Sequence, residues 1–274
     1  MLKRGVTSAL RHAATVILIR PAAAAPGDDD VEVFLLRRRK GASFMSGSFV
    51  FPGGIADPGE DDLRVTAARE LFEEAGVLLT TTAVTEDDRL RLRARVLAGE
   101  PTAAVLADAG LILDRDRLHY FAHWITPSAE PRRYDTRFFV ALLPDGQEPR
   151  FDAKETVDQV WVSPRAGLAR AGELALPPPQ VRSLGELSGV RTTADVLAVA
   201  AERARAPHPI MPRLAPLAAG FALLLPWDPE YLTAGTGEAT PMPVDHPLAV
   251  GPSRFILEDR TWKNVVAPGS TTAG

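Results

Sequence analysis

The chain has 274 residues, with 31 Lys and Arg against 35 Asp and Glu, and therefore a net charge of −4. Its 46% hydrophobic and 24% charged residues are typical of a folded globular protein, and the absence of cysteine excludes disulfide frameworks, thiolate zinc sites and cysteine nucleophiles. The acidic balance argues against a dedicated nucleic-acid or anionic-membrane surface, and we expect a cytoplasmic protein.

The first third of the chain predicts a mixture of short strands and one helix. The predicted order is strand, strand, strand, helix, strand, over residues 13–19, 32–37, 49–51, 63–75 and 77–79. The first two strands form a hairpin whose loose loop is rich in Ala, Pro, Gly and Asp. The glycine after the helix, Gly76, is the residue expected just beyond a helix end.

Between residue 80 and about residue 117 the composition shifts to Arg, Leu, Ala and Asp with helical spacing, which predicts a helical insertion. The elements predicted after it are strands at 120–125, 137–142, 157–162, 221–225 and 254–258 and helices at 164–174 and 194–205. Prolines at 177–179 indicate a boundary near residue 175. We therefore expect a domain over 1–175 and a helical, Pro-rich extension over 176–274 that packs on it.

The predicted helix 63–75 has an unusual acidic face. At about 100° per residue, Glu70, Glu73 and Glu74 fall within one arc, while apolar residues fill another. Three crowded carboxylates repel each other unless a cation joins them. Carboxylate oxygens suit Mg²⁺ or Mn²⁺, which share their ligands with substrate phosphates, so the pattern predicts a phosphate ester or pyrophosphate substrate. The competing interpretation is a solvated helix face.

The residues around this helix resemble the signature of the Nudix hydrolases. The matching positions are Gly54, five residues, Glu60, and then the run from Arg69 to Val77, which reads RELFEEAGV. One spacing departs from the family pattern: eight residues, not seven, separate Glu60 from Arg69, or Asp61 takes the first acidic position. The resemblance implies an α/β fold, a Nudix α/β/α sandwich with a mixed sheet, a helical insertion after the Nudix helix and a C-terminal extension.

The resemblance also implies roles for individual residues. Glu70, Glu73 and Glu74 would hold Mg²⁺ or Mn²⁺, helped by the backbone near Gly53. Arg69 would be structural and pair with Glu60 or Asp61, and Gly54 and Gly76 would shape the loop and the helix end. Glu155 would add a further catalytic carboxylate from a loop before a late strand, with Asp158 as the alternative.

The wider pattern over residues 10 to 190 resembles the coenzyme A diphosphatase branch of that family. This implies cleavage of the pyrophosphate bond of coenzyme A or acyl-coenzyme A. Guanidinium groups suit phosphate, and the arginines expected to bind substrate phosphate are those of the runs 37–39 and 132–137, chiefly Arg37, Arg39 and Arg133. Two alternatives stay open: a Nudix pyrophosphatase for ADP-ribose, dinucleotides or nucleotide sugars, and a non-catalytic nucleotide sensor. The expected partner is a small nucleotide diphosphate derivative, not nucleic acid or membrane, and a homodimer is possible.

Overall fold

The computed structural model describes residues 9–22, 31–41, 45–218, 220–243 and 245–268. Most of the loop expected between the first two strands lies outside these ranges. No helix within them combines the length and the apolar character that a membrane crossing requires.

A mixed sheet of eight strands, counted over the described residues, forms the centre of the fold. Its strands are β1 (Arg11–Pro21), β2 (Val31–Arg38), β3 (Phe49–Val50), β4 (Gly53–Ile55), β5 (His119–Ile125), β6 (Tyr134–Leu142), β7 (Thr156–Val162) and β8 (Pro209–Ile210). The hydrogen-bonded order is β3-β2-β1-β6-β5-β8, while β4 pairs with β1 and β7 pairs with β2. The hairpin predicted from the first two apolar segments is confirmed, because β1 and β2 pair in antiparallel register.

The helices follow the predicted order closely. They are α1 (Leu63–Ala75), α2 (Glu86–Leu97), α3 (Thr102–Asp108), α4 (Pro164–Ala169), α5 (Pro178–Leu187) and α6 (Thr193–Arg205), with a short 3₁₀ turn at Arg115–Arg117. The hydroxyl of Thr85 caps the first turn of α2, and Thr192 and Asp195 form a capping box on α6. The helical insertion expected after the acidic helix is confirmed as α2, α3 and the 3₁₀ turn.

Helices cover both faces of the central sheet. On one face, α1 packs on β1 and β2 through a cluster that includes Val16, Phe34 and Leu71. On the other, α5 and α6 pack through Leu184, Val196 and their neighbours, in a cluster shared with Ile17 and Leu35 of the sheet. Alternate residues of a strand point to opposite faces, so β1 and β2 contribute to both clusters. This arrangement is the expected α/β/α sandwich.

A second, antiparallel sheet of four strands lies in the C-terminal part of the described chain. Its strands are β9 (Arg213–Pro216), β10 (Phe221–Leu224), β11 (Arg254–Glu258) and β12 (Thr261–Val265). Phe255 of β11 lies in the same core cluster as Leu35 and Val162, which belong to the first 175 residues. One hydrophobic cluster therefore spans the expected boundary near residue 175, and the division into 1–175 and 176–274 stays a prediction.

Three local predictions need correction. Residues 77–79 are buried but form no strand, because the side-chain amide of Gln147 both donates to and accepts from the backbone of Leu78 in place of a neighbouring strand. The helix expected over 164–174 ends at Ala169. The helix α5 was missed, since its prolines occupy the cap and the first turn, where a missing N–H costs nothing.

Candidate active site

Helix α1 carries the acidic cluster, and both of its ends are well defined. Asp62 caps the start by accepting a hydrogen bond from the backbone N–H of Arg64. At the other end Gly76 adopts the left-handed conformation, with φ of 69°, and its N–H donates to the carbonyl of Phe72. Leu71 and Phe72 are fully buried and fix the orientation of the helix, which places Glu70 and Glu74 against β4.

Glu74 is the most deeply buried acid of this face. Only 5% of it is exposed, and it accepts a 2.9 Å hydrogen bond from the backbone N–H of Gly53 in β4. Burial raises the pKa of its carboxyl to about 8, and the charges of Glu70 and Glu155 add to this, although Gly53 and the nearby positive charge of Arg38 oppose it. Glu74 has no ion-pair partner among the described residues.

Glu70 lies one helical turn earlier, against the backbone of β4. A Cβ atom placed on Gly54 would overlap the Glu70 carboxylate, so the glycine leaves the space that this carboxylate occupies. Burial raises the pKa of Glu70 to about 7; Arg69 opposes this rise, and the charges of Glu73 and Glu155 reinforce it. Burial therefore raises the pKa of two neighbouring carboxyls of α1 from the ordinary value of 4.5 toward the neutral range.

Arg69 joins the helix to the preceding loop. Its Nε donates to Glu60 at 2.8 Å, one terminal nitrogen donates to Glu70 at 2.8 Å and Glu73 at 3.2 Å, and the other donates to Glu60 at 3.1 Å and to the carbonyl of Ile55 at 2.8 Å. Burial lowers the pKa of Arg69, but these carboxylates outweigh it and the net pKa is raised. Of the two acids expected as its partner, the structure pairs Arg69 with Glu60.

Glu73 faces the inserted helices. The hydroxyl of Thr102, the first residue of α3, donates a 2.7 Å hydrogen bond to the carboxylate oxygen of Glu73 that Arg69 does not contact. Thr102 belongs to no motif in the sequence, because only the tertiary packing brings the start of α3 onto α1. The insertion therefore contributes directly to the acidic cluster.

Glu155 reaches the cluster from the loop before β7. The Asp152 carboxylate holds this loop by accepting hydrogen bonds from the backbone N–H groups of Lys154, Glu155 and Thr156. The backbone N–H of Arg39 donates to the carbonyl of Glu155 at 2.9 Å. Glu155 lines the same cavity as Glu70, Glu73 and Glu74, and its charge adds to the raised pKa of Glu70 and Glu74.

These carboxylates open into a cavity of about 860 Å³. Its other wall is the turn between α2 and α3, from Val96 to Ala103. Among the described residues, ten acidic and three basic side chains line it, and the basic ones are Arg69, Arg115 and Lys154. The cavity is therefore strongly negative, which disfavours an anionic ligand that enters without cations.

The donors of the acidic cluster suit a divalent ion in their chemistry but not in their present arrangement. Among the described residues, no three acidic or histidine side chains converge in a metal-binding arrangement, and Arg69 lies between Glu70 and Glu73. The chemistry of the donors nevertheless fits a hard cation: several carboxylates share one cavity, and burial has raised the pKa of Glu70 and Glu74. The residues whose donors suit such an ion are Glu70, Glu73 and Glu74 of the helix and Glu155 of the loop.

The arginines expected to bind substrate lie elsewhere. Arg37 is on the face of β2 opposite α1, stacked over Phe49 and 4.0 Å from Asp158. Arg39 donates to the carbonyls of Ala153 and Lys154 and so supports the Glu155 loop. Strand residues alternate between the two faces of a sheet, so Arg38 lies on the face opposite Arg37. It is the positive charge of Arg38 that opposes the rise in the pKa of Glu74.

Arg133 is also displaced from its expected role. It is only 3% exposed, and its guanidinium donates to Glu238 at 2.9 Å and to the carbonyl of Thr126 at 3.2 Å. The structure thus gives Arg133 a structural position between the β5–β6 connection and the C-terminal region. A buried, paired guanidinium with these partners is not available to bind phosphate.

Comparison with known proteins identifies the family. The family model of the NUDT19 Nudix domain matches residues 56–187. A crystal structure of a NUDIX hydrolase from Alicyclobacillus acidocaldarius is similar, with 30% identity and a TM-score of 0.60 over 70% of this chain and 97% of that one. The fold and the acidic helix define the class, and the chain belongs to the Nudix hydrolase family.

Two curated relatives are similar to most of this chain. The putative nudix hydrolase 7 of Caenorhabditis elegans is 36% identical over 68% of this chain, and the match spans 63% of that protein's length. The acyl-coenzyme A diphosphatase NUDT19 of Homo sapiens is 26% identical over 81% of this chain and 80% of that protein. Within the Nudix hydrolases, the chain is thus similar to the coenzyme A diphosphatase branch.

Proposed function

We propose that this protein is a divalent-metal-dependent hydrolase that cleaves the pyrophosphate bond of coenzyme A or acyl-coenzyme A. The observation that carries the proposal is the cavity in which Glu70, Glu73 and Glu74 of one helix are joined by Glu155 from a separate loop. A diphosphate is repelled by such a cavity unless hard cations accompany it. Mg²⁺ or Mn²⁺ bound to these carboxylates would neutralise phosphate oxygens and activate a water.

The protein's own groups supply the rest of the chemistry. Arg69 holds Glu70 and Glu73 on the helix, and Gly53 holds Glu74 at its base. Glu155, on the loop across the cavity, is the carboxylate proposed to accept a proton from the attacking water. This chemistry forms no covalent intermediate, in keeping with a chain that has no cysteine.

The choice of substrate rests on the relatives and on the size of the cavity. The proteins named acyl-coenzyme A diphosphatase are about one quarter identical to this chain over most of its length. A cavity of about 860 Å³ is within the range that holds a large cofactor. The wall formed by Val96, Leu97 and Pro101 offers apolar surface beside the acidic cluster, and it is proposed to contact the pantetheine end.

The test is a substrate panel with purified full-length protein. Coenzyme A, an acyl-coenzyme A, ADP-ribose, NADH and diadenosine polyphosphates are incubated with Mg²⁺ or with Mn²⁺, and the products are resolved by chromatography. Release of adenosine 3′,5′-bisphosphate and phosphopantetheine is the expected result. Preferential cleavage of ADP-ribose or a dinucleotide would reassign the substrate, and no cleavage of any compound with either ion would favour a sensor.

A further inference from the structure

The C-terminal end of helix α1 is held by cations from another helix. The last carbonyl groups of any helix lack partners within it and carry partial negative charge. The last turn of α1 contains no basic residue of its own. Two arginines of α2 take this role: Arg89 donates to the carbonyl of Gly76, and Arg93 donates to those of Glu73 and Glu74.

Arg93 makes a second connection that Arg89 lacks. The same terminal nitrogen that donates to Glu73 at 3.2 Å and Glu74 at 3.0 Å also donates to the carbonyl of Arg150 at 2.6 Å. Arg93 is 7% exposed and has no salt bridge among the described residues. Burial lowers its pKa to about 10, so the protein keeps a guanidinium here at a cost, with backbone oxygens as its partners.

Arg150 begins the segment that ends at Glu155. Its own N–H donates to the carbonyl of Ala75 at 2.8 Å, so its two backbone groups are both tied to the end of α1 or to Arg93. From there the Asp152 carboxylate holds residues 154–156, as described above. The guanidinium of Arg93 therefore links the backbone of Glu73 and Glu74 to the loop that bears Glu155.

We propose that Arg93 is a positioning residue that sets the placement of Glu155 relative to Glu73 and Glu74. The inference rests on the proposed function of those carboxylates as metal ligands. It assigns the inserted helix α2 a part in the reaction, although Arg93 itself contacts only backbone. Gly76 leaves room for it, because a Cβ atom there would lie 2.7 Å from a terminal nitrogen of Arg93.

Arg89 provides a matched control. It belongs to the same helix, is 2% exposed, and caps the same end of α1 through Gly76, but among the described residues it makes no hydrogen bond to the 150–155 segment. If both arginines only stabilise the end of α1, replacing either one should have a similar effect on metal binding. A role in positioning Glu155 predicts that only Arg93 affects metal binding.

The experiment compares Arg93→Met, Arg93→Lys, Arg89→Met and Arg89→Lys in the full chain. Mn²⁺ binding to the substrate-free protein is followed by the electron paramagnetic resonance signal of the free ion, and unfolding by circular dichroism confirms the fold. We expect Arg93→Met to raise the Mn²⁺ dissociation constant by about 10-fold or more, the loss typical of removing a group that orients metal ligands. Arg93→Lys should raise the Mn²⁺ dissociation constant less than Arg93→Met does. In both Arg89 variants the dissociation constant should stay within about 2-fold of the wild-type value.

Kinetics on the substrate identified by the panel give the second measurement. Arg93→Met should lower kcat by about 10-fold with little change in KM, since substrate contacts are not altered. Equal Mn²⁺ affinity in folded wild type and Arg93→Met, or equal losses in the Arg89 and Arg93 variants, would overturn the proposal. If Arg93→Met does not fold, the Mn²⁺ affinity and kcat of Arg93→Lys are compared with those of Arg89→Lys, and the same criteria apply.

The two proposals fail differently. Wild-type protein that binds no Mn²⁺ would overturn the metal-dependent function and, with it, the role of Arg93. Wild-type protein that binds Mn²⁺ while the Arg93 variants bind it equally well would overturn the positioning role alone. Cleavage of a substrate other than coenzyme A would change the proposed substrate only. The Mn²⁺ binding data would still decide the role of Arg93.

Discussion

The backbone N–H of Gly53 donates a 2.9 Å hydrogen bond to the carboxylate of Glu74, a residue 21 positions later in the chain. This bond exists because β4 pairs with β1 and so brings Gly53 against the buried side of α1. A carboxylate with one N–H donor and no ion pair is poorly compensated, and its raised pKa of about 8 expresses this. A bound dication is the compensation that the proposed function supplies.

Replacement of Glu74 should separate catalysis from folding. In Glu74→Gln the amide oxygen still accepts from Gly53, but the negative charge is lost. We expect kcat to fall by about 100-fold or more. At pH 8, where the carboxyl is partly ionised, the free energy of unfolding of the metal-free protein should stay equal or rise, because repulsion from Glu70 and Glu155 is removed. Steady-state kinetics and urea unfolding measure the two effects. Glu173→Gln, an exposed acid paired with Arg170, is the control that should change neither, and full activity in Glu74→Gln would contradict the metal assignment.

The metal-free protein should lose stability as the pH rises through neutrality. Between pH 6.5 and 8 the unfolded Glu74 is ionised, whereas the folded one, with a pKa of about 8, still binds its proton. The folded state therefore binds more protons, and the free energy of unfolding decreases with pH, by about 2 kcal/mol over this window with Glu70 included. Below pH 6.5 the buried His123, whose pKa burial lowers to about 4, has the opposite effect, so the window starts there.

Urea unfolding in EDTA at pH 6.5, 7.2 and 8 measures this dependence. In Glu74→Gln the free energy of unfolding should depend less steeply on pH. In the wild type, added Mg²⁺ or Mn²⁺ should restore stability at pH 8. A free energy of unfolding that is constant or rises over this window in the metal-free wild type would show that these carboxyls are already ionised in the folded state.

Arg69 should matter far more for stability than its neighbour Arg64. Arg69→Met leaves Glu60 and Glu70 in buried positions without their cation, and breaking such a pair costs about 3–5 kcal/mol. Arg64 pairs with Asp62 at 2.9 Å, but 37% of its side chain is exposed, and Arg64→Met should cost less than about 1 kcal/mol. Thermal and urea unfolding of the two variants give the comparison. Equal destabilisation would mean that the contacts of Arg69 with Glu60 and Glu70 contribute no more than a surface pair.

The space at Gly54 should be required for activity. In Gly54→Ala the added methyl group overlaps the Glu70 carboxylate, so this side chain must move, and we expect kcat to fall by about 10- to 100-fold. The control is Gly185→Ala in α5, where no atom lies near the new Cβ; it should leave kcat unchanged and stabilise the helix by about 0.5–1 kcal/mol. Wild-type kcat in Gly54→Ala would show that the position of Glu70 is not critical.

Much of the fold was predictable from local sequence patterns. The bounds of α1 were predicted to the residue, since an apolar stripe with a period of 3.6 and a glycine at the end are both encoded locally. The hairpin of β1 and β2 and the helical insertion followed from composition in the same way. Residues 77–79 were not predictable, because the side chain of a distant residue, Gln147, occupies the backbone groups of Leu78. Helix α5 was missed because its prolines were interpreted as a boundary, although they occupy the cap and the first turn.

The sequence by itself determined that Glu70, Glu73 and Glu74 share one helix face, because a regular helix converts their spacing into a single direction. Only the tertiary structure decided that Glu74 is buried against Gly53, that Arg69 pairs with Glu60, and that Arg38 rather than Arg37 lies near Glu74. It likewise placed Arg93 between the helix and the Glu155 loop. The reason is physical: periodicity is a local property of the chain, whereas burial, strand register and the partners of a charge depend on which distant segments pack together.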